Sequence, residues 1–160
     1  MAAKKVSTGK TGVKSAKGTS WTEKLAAAKR PHIKKLEKDF ADMPAGSIIL
    51  IATPGLIDEY VKQIPKGRSI TLHQIRKDLA TEFRAEYTCP LTTGIFLRIV
   101  AEAAHERFER GEPIQKITPF WRAINEDSPL AKKLSFGADF VKILRMKERI
   151  ITPIKRKPKQ

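Results

Sequence analysis

The chain has 160 residues, with 32 lysines and arginines against 17 aspartates and glutamates, so its formal net charge is +15. This length predicts one compact domain with tails, and 41% apolar residues are enough for one core. No run of about eighteen apolar residues occurs and the N-terminal segment lacks the apolar stretch of a secretory signal, so we expect a cytoplasmic protein without membrane association. The single cysteine, Cys89, excludes an internal disulfide, and the histidines show no metal-ligand spacing. We therefore expect no metal or cofactor, and no small-molecule substrate is evident.

The positive charge is concentrated at both ends of the chain. Residues 1–18 carry five lysines and residues 153–160 carry three lysines and one arginine, and neither segment has an acidic residue. The low-complexity composition of residues 1–18 predicts a disordered basic arm, and residues 151–160 are expected to be a basic tail. A field of this sign attracts polyanions such as nucleic acids. The alternative is that the lysines only increase solubility.

Ordered structure is predicted from about residue 19. Ser20 and Glu23 have the spacing of a capping box that starts a helix, Pro31 interrupts it, and residues 32–40 are expected to form a second short helix. Residues 19–44 are therefore interpreted as a helical N-terminal extension. The β-branched segment 46–52 predicts a short buried strand. Thr53 and Pro54 then start a helix with one apolar face.

Two successive helices are the main pattern of the central region. Thr71 and Gln74 have capping-box spacing, so a helix is predicted over about 71–84, and a longer one over 90–110. A last helix follows Gly137. The joined pair is typical of a helix-turn-helix, in which the second helix enters a groove of DNA.

The long helix carries two local expectations. The spacing predicts that one set of its side chains faces the core: Leu91, Ile95, Ile99, Ala103 and Phe108. Gly94, inside the helix, costs about 1 kcal/mol relative to alanine. Its presence therefore indicates that another helix or a nucleic-acid strand approaches the backbone there.

Four segments in order resemble the C-terminal DNA-binding domain of the O6-alkylguanine-DNA alkyltransferases. They are PKGRSITLHQIRKDLA, CPLTTGIFLRIVAEAA, ITPFWRAI and SFGADFVKILRMKE, and the likeness covers roughly residues 45–150. It is closest to the alkyltransferase-like branch, which lacks the acceptor cysteine. The resemblance implies a mostly α-helical fold, a winged helix-turn-helix with one or two short strands and basic tails. It also implies binding of double-stranded DNA, extrusion of a damaged guanine and recruitment of repair proteins.

A residue-by-residue comparison with the family motif shows that its reactive side chains are replaced in this sequence. Phe120 stands at the position of the alkyl-accepting cysteine and Trp121 at that of the neighbouring histidine, whereas Pro119 and Arg122 keep their places. Neither a phenyl ring nor an indole can act as nucleophile or base, so we expect no alkyl transfer at this site. Leu72 replaces the tyrosine that helps rotate the nucleotide. No arginine stands at the first turn of the recognition helix, and Arg98 lies two turns in.

These assignments give a set of candidate sites. The expected lesion pocket consists of Pro119, Phe120, Trp121 and Leu72. The expected DNA contacts are Thr92, Thr93, Arg98, Arg122, Arg76, Lys77 and Arg84. Phe120 and Trp121 either stack an extruded base or fill the core where a pocket used to be. Cys89, at the start of a helix, is an alternative candidate for an acceptor thiol. The simpler interpretation is that its side chain packs there.

From these observations we expect a non-catalytic protein that recognises damaged or distorted duplex DNA for repair. One alternative is a general architectural DNA binder with a filled pocket. A second is an enzyme that accepts an alkyl group on Cys89.

Overall fold

The computed structural model describes residues 19–27 and 29–150. Within them the chain forms helices α1 Trp21–Ala26, α2 Pro54–Lys62, α3 Leu72–Glu82, α4 Pro90–Glu109, α5 Pro129–Lys133 and α6 Ala138–Lys147. It also forms strands β1 His32–Lys35, β2 Ile48–Ile51 and β3 Tyr87–Thr88, and two 3-10 turns, Ile114–Lys116 and Phe120–Arg122. The predicted tails at 1–18 and 151–160 lie outside the described residues.

The prediction of a mostly helical fold with few strands is confirmed. The described residues contain a three-stranded sheet in the order β1-β2-β3, one strand more than the one or two expected. The central strand is the segment predicted from residues 46–52, and its Ile49 and Leu50 are buried. It pairs antiparallel with β1 and parallel with β3, where Leu50 lies opposite Thr88.

The expectation of a helix over residues 32–40 is wrong. Residues His32–Lys35 form the edge strand β1, with Ile33 opposite Leu50 of β2. The segment pairs with the edge of β2, and this partner lies too far along the chain to be recognised from the local sequence. All four strand residues are exposed, so pairing rather than burial fixes the conformation.

Helices α2 and α3 begin where their capping residues predicted. The Thr53 hydroxyl accepts a hydrogen bond from the Leu56 amide, and the Thr71 hydroxyl accepts one from the Gln74 amide. The Gln74 side chain, however, hydrogen-bonds to Asp78, so the reciprocal half of the capping box is not seen there. Most of the expected apolar face of each helix is buried: Ile57, Val61 and Ile64 around α2, and Ile75 and Leu79 in α3. The remaining members of these faces, Tyr60, Leu72 and Phe83, are half-buried against the core.

Helix α4 presents a different face to the core from the one predicted. Leu91 is 58% exposed and Ile95 49% exposed, whereas Leu97 is fully buried. The buried residues of α4 are Thr93, Leu97, Val100, Ala101, Glu102, Ala103 and Ala104. Helices α1 and α2 both pack against α4, so these neighbours, which the local sequence does not reveal, determine which face is buried. Of the side chains expected to face the core, Ala103 is buried. Among residues 19–27 and 29–150, no helix is long and apolar enough to cross a membrane.

The short helix α1 is fixed to α4 through its own N-terminus. Its Ser20–Glu23 capping box is complete, as predicted. The Glu106 carboxylate of α4 accepts the Trp21 amide at 3.0 Å and the Thr22 hydroxyl at 2.7 Å. Since a helix N-terminus favours a negative charge, this contact anchors residues 20–26 beside α4.

Candidate nucleic-acid interface

The turn at residues 119–122 is part of the core. Phe120 is fully buried and Trp121 is 4% exposed. The Phe120 ring meets Trp121 edge-on at a centroid distance of 5.3 Å, and lies 5.6 Å from Phe136 and 6.1 Å from Phe140. The Phe120 ring is therefore enclosed by an aromatic cluster and is not accessible from solvent.

Arg122 and Glu148 lock this turn to the end of α6. The Arg122 guanidinium donates to both carboxylate oxygens of Glu148, at 2.9 Å from Nε and 2.7 Å from Nη2, and its Nη1 donates to the Ile64 carbonyl. Burial of Glu148 opposes its ionisation. The hydrogen bonds from Arg122 and the Gly67 amide outweigh that cost and lower the pKa of Glu148 to about 2.

The four residues expected to form a lesion pocket do not share one cavity. Pro119 and Trp121 line a cavity of about 540 Å³ on one side of the turn. Leu72 lines a separate groove of about 740 Å³ beside α4, and Phe120 borders neither. The structure therefore does not bring these four residues together around one cavity, and Phe120 packs within the aromatic cluster instead.

We call the larger space the α4 groove. Its apolar wall on α4 consists of Leu91, Ile95, Leu97 and Ile99, and its opposite wall includes Ile70, Leu72, Ala123, Ile124, Pro129 and Leu130. Gly94 opens onto the groove, and a Cβ at this position would meet nothing within 4 Å. No described helix approaches the Gly94 backbone closely, so the helix contact considered from the sequence is not seen, and the groove is open at this position.

Cations line the α4 groove without any carboxylate among its lining residues. Lys24, Arg98 and Lys133 contribute to its wall, and the buried Arg145 lies at its base. Arg145 pairs with Glu126 at 2.9 Å and donates to the Trp121 carbonyl, so its role is structural. The other three are partly or fully exposed and give the groove a positive rim.

Trp21 lies at one end of the α4 groove. Its ring has the Lys24 ammonium 4.2 Å and the Arg98 guanidinium 5.6 Å from its centroid. Arg98 also lies 3.9 Å from the buried carboxylate of Glu102. These contacts orient the two cations along the groove.

The predicted DNA-contacting residues divide into two groups. Thr92 and Arg98 lie on the partly exposed face of α4, and Lys77 and Arg84 are exposed at or beyond α3. The other three face the protein. Thr93 is fully buried and donates to the Cys89 carbonyl at 2.6 Å, and Arg76 bonds the Thr88 carbonyl and Asp42. Arg122 is held by Glu148, so none of these three side chains is presented to a duplex.

Cys89 is the N-cap residue of α4 and is 7% exposed. Its side chain makes no capping hydrogen bond, and its carbonyl accepts from Thr93. In the described part of the chain, no three histidine, cysteine, aspartate or glutamate side chains are grouped so that they could hold a metal ion. The position of Cys89 agrees with the packing interpretation.

Sequence reasoning missed four residues of the α4 groove: Leu91 and Ile95 as exposed side chains, and Trp21 and Lys133 as lining residues. The available signal was Gly94, which lies between Leu91 and Ile95 within the helix.

Comparison with known protein families, with curated proteins and with solved structures finds no match for the chain. The relationship to the alkyltransferases therefore rests on the sequence segments and remains a hypothesis.

Proposed function

We propose that this protein binds double-stranded DNA through the exposed face of α4 and performs no alkyl transfer. In this proposal α3 and α4 act as a winged helix-turn-helix, with α4 as the recognition helix. The observation that carries it is the α4 groove, an apolar surface with cations and no carboxylate among its lining residues. A polyanion with exposed base edges is the ligand that suits both properties.

Leu91 and Ile95 would contact the minor groove. They occupy the first two turns of α4 and are 58% and 49% exposed. Minor-groove proteins commonly insert such apolar side chains between base steps and kink the duplex, at a cost of about a few kcal/mol per step. Lys24, Arg98 and Lys133 would offset that cost by contacts to the flanking phosphates.

A duplex that is already distorted would be bound more tightly than an intact one. Unstacking costs least at a damaged or mismatched base, so a protein that must unstack DNA favours such sites. The α4 groove, at about 740 Å³, is large enough to receive an extruded base against Leu72 and Ile124. The resemblance to alkyltransferase-like proteins supports the same substrate class and a role in DNA repair.

An architectural DNA binder is the second candidate, and the burial of Phe120 favours it. Phe120 is fully buried and fills the space beside the turn, so the family's own lesion pocket would be lost. In that case the protein would kink DNA without regard to damage.

A binding comparison tests the proposal and separates the two candidates. Fluorescence anisotropy would measure the affinity of the full chain for matched duplexes with and without one O6-methylguanine, at fixed moderate salt. Tighter binding of the modified duplex supports lesion recognition. Equal affinity for both duplexes supports the architectural function, and no duplex binding at low salt would overturn the proposal.

A further inference from the structure

A second cationic cavity shares no lining residue with the α4 groove. We call it the lysine cavity. Four lysines line it, Lys62, Lys66, Lys116 and Lys147, together with Arg122 and one carboxylate, Glu148. Its volume is about 540 Å³. Because the two spaces are lined by different residues, a ligand here would not occupy the proposed DNA site.

The positive charge of this cavity is only partly neutralised by the protein. Glu148 is held by Arg122, and Lys62 pairs with Asp58 at 2.8 Å. Lys116 lies close enough to Glu112 to contribute to its lowered pKa, although Arg107 is the main cause. Lys66 and Lys147 are exposed and form no ion pair with any described residue. At least two lysines are therefore available to an anionic partner.

The rest of the cavity is mostly apolar. Ile114, Ile117, Pro119 and Leu144 line it together with Trp121, and Gln115 and Thr118 are its uncharged polar members. An apolar recess with a cationic rim suits a ligand that has an apolar side chain flanked by negative charges. A duplex backbone is a convex polyanion whose phosphates would contact the lysines without filling the recess.

The two basic segments at residues 1–18 and 151–160 do not match such a ligand. They contain no aspartate or glutamate. A second copy of a protein with a net charge of +15 would also be repelled. A segment of a different, acidic protein is therefore the occupant that charge favours.

We propose that the lysine cavity is a docking site for an acidic peptide segment of a partner protein, anchored by one large apolar side chain. Carboxylates of the segment pair with Lys66 and Lys147, and the anchor packs on Pro119 and Leu144. The site lies apart from the α4 groove, so a partner can dock while the α4 face is occupied. This inference stands without the proposed DNA function, because it rests on the charge and shape of the cavity alone.

A designed probe tests this site in the full chain. The probe is a fluorescein-labelled peptide of glutamates around a central Leu-Trp pair, with a second peptide in which serines replace that pair. Wild type is compared with the double variant Lys66→Glu and Lys147→Glu. The matched control is Lys34→Glu with Lys38→Glu, which makes the same change of charge at exposed lysines elsewhere.

The proposal predicts that the cavity variant weakens binding of the Leu-Trp probe at least about tenfold, since two attractive charge contacts are replaced by repulsion, and that the control variant changes it about twofold or less. It also predicts weaker binding of the serine peptide to wild type. Equal loss in both variants, or equal affinity for both peptides, overturns it. The same variants are titrated with duplex DNA. A loss of duplex affinity in the cavity variant as large as its loss of peptide affinity would instead assign the lysines to a DNA surface and overturn peptide docking.

Discussion

The Arg122 guanidinium and the Glu148 carboxylate form a two-pronged ion pair that joins the turn Pro119–Arg122 to the end of α6, with contacts of 2.7 and 2.9 Å. The pair fixes the backbone that carries Phe120 and Trp121, and both of its members line the lysine cavity. Arg122 therefore stabilises the fold.

The ion pair should contribute pH-dependent stability. In the native protein the pKa of Glu148 is about 2, below the ordinary value of 4.5. A depressed pKa stabilises the fold fully above pH 4.5, and the contribution is lost as pH falls through the native value. Glu148→Gln should therefore cost about 2–4 kcal/mol at pH 7, and the difference from wild type should shrink between pH 5 and pH 2. Urea unfolding at several pH values measures it.

Glu59→Gln is the control for this effect, because the Glu59 side chain is 69% exposed. It should change stability by less than about 0.5 kcal/mol at any pH. A Glu148→Gln variant as stable as wild type at pH 7 would show that the pair contributes nothing.

A cysteine at position 120, where the alkyltransferases that this chain resembles have their acceptor, should not be a reactive thiol. Phe120 is fully buried against aromatic rings, so Phe120→Cys should leave the new sulfur inaccessible and cost about 2–5 kcal/mol through a cavity. The experiment uses a Cys89→Ala background and measures reaction with a thiol reagent under native conditions. Slow labelling that tracks unfolding is expected. Rapid labelling, or a mass gain after incubation with O6-methylguanine DNA, would mean that the pocket is open.

The sequence predicted the local structure better than the choice of buried faces. The capping residues Ser20, Thr53 and Thr71 located helix starts because a cap depends on a few neighbouring atoms. Which face of α4 is buried depended on α1 and α2, which pack against its alanines and leave Leu91 exposed. Strand β1 likewise depended on a partner distant in sequence. The sequence also did not show which basic side chains are free to bind DNA, because contacts such as that of Arg76 with Asp42 join residues distant in the chain.

Gly94 should show opposite effects on stability and on binding. A Cβ at this position meets nothing within 4 Å, so Gly94→Ala should stabilise the helix by about 0.5–1 kcal/mol. If DNA approaches the helix backbone here, the same methyl group should weaken duplex binding. Thermal unfolding and fluorescence anisotropy measure the two effects. Increased stability with unchanged duplex affinity would remove Gly94 from the interface.

Leu91 should determine how far bound DNA bends. It is 58% exposed at the first turn of α4, so Leu91→Ala should leave stability within about 0.5 kcal/mol of wild type. Loss of the wedge should reduce the kink, which energy transfer between dyes at the duplex ends would detect. Met146→Ala, at a residue 67% exposed on α6, is the control. An unchanged bend in the Leu91 variant would rule out a wedge at this position.

The most direct test of the central claim compares two double variants on one duplex at one salt concentration. Leu91→Glu with Ile95→Glu places two carboxylates on the α4 face, and Ile143→Glu with Met146→Glu places two on the exposed face of α6. Both pairs change the net charge equally, so general electrostatic effects cancel. We expect the α4 variant to lose at least about tenfold in duplex affinity relative to the α6 variant. Equal affinities for the two variants would contradict DNA binding through α4.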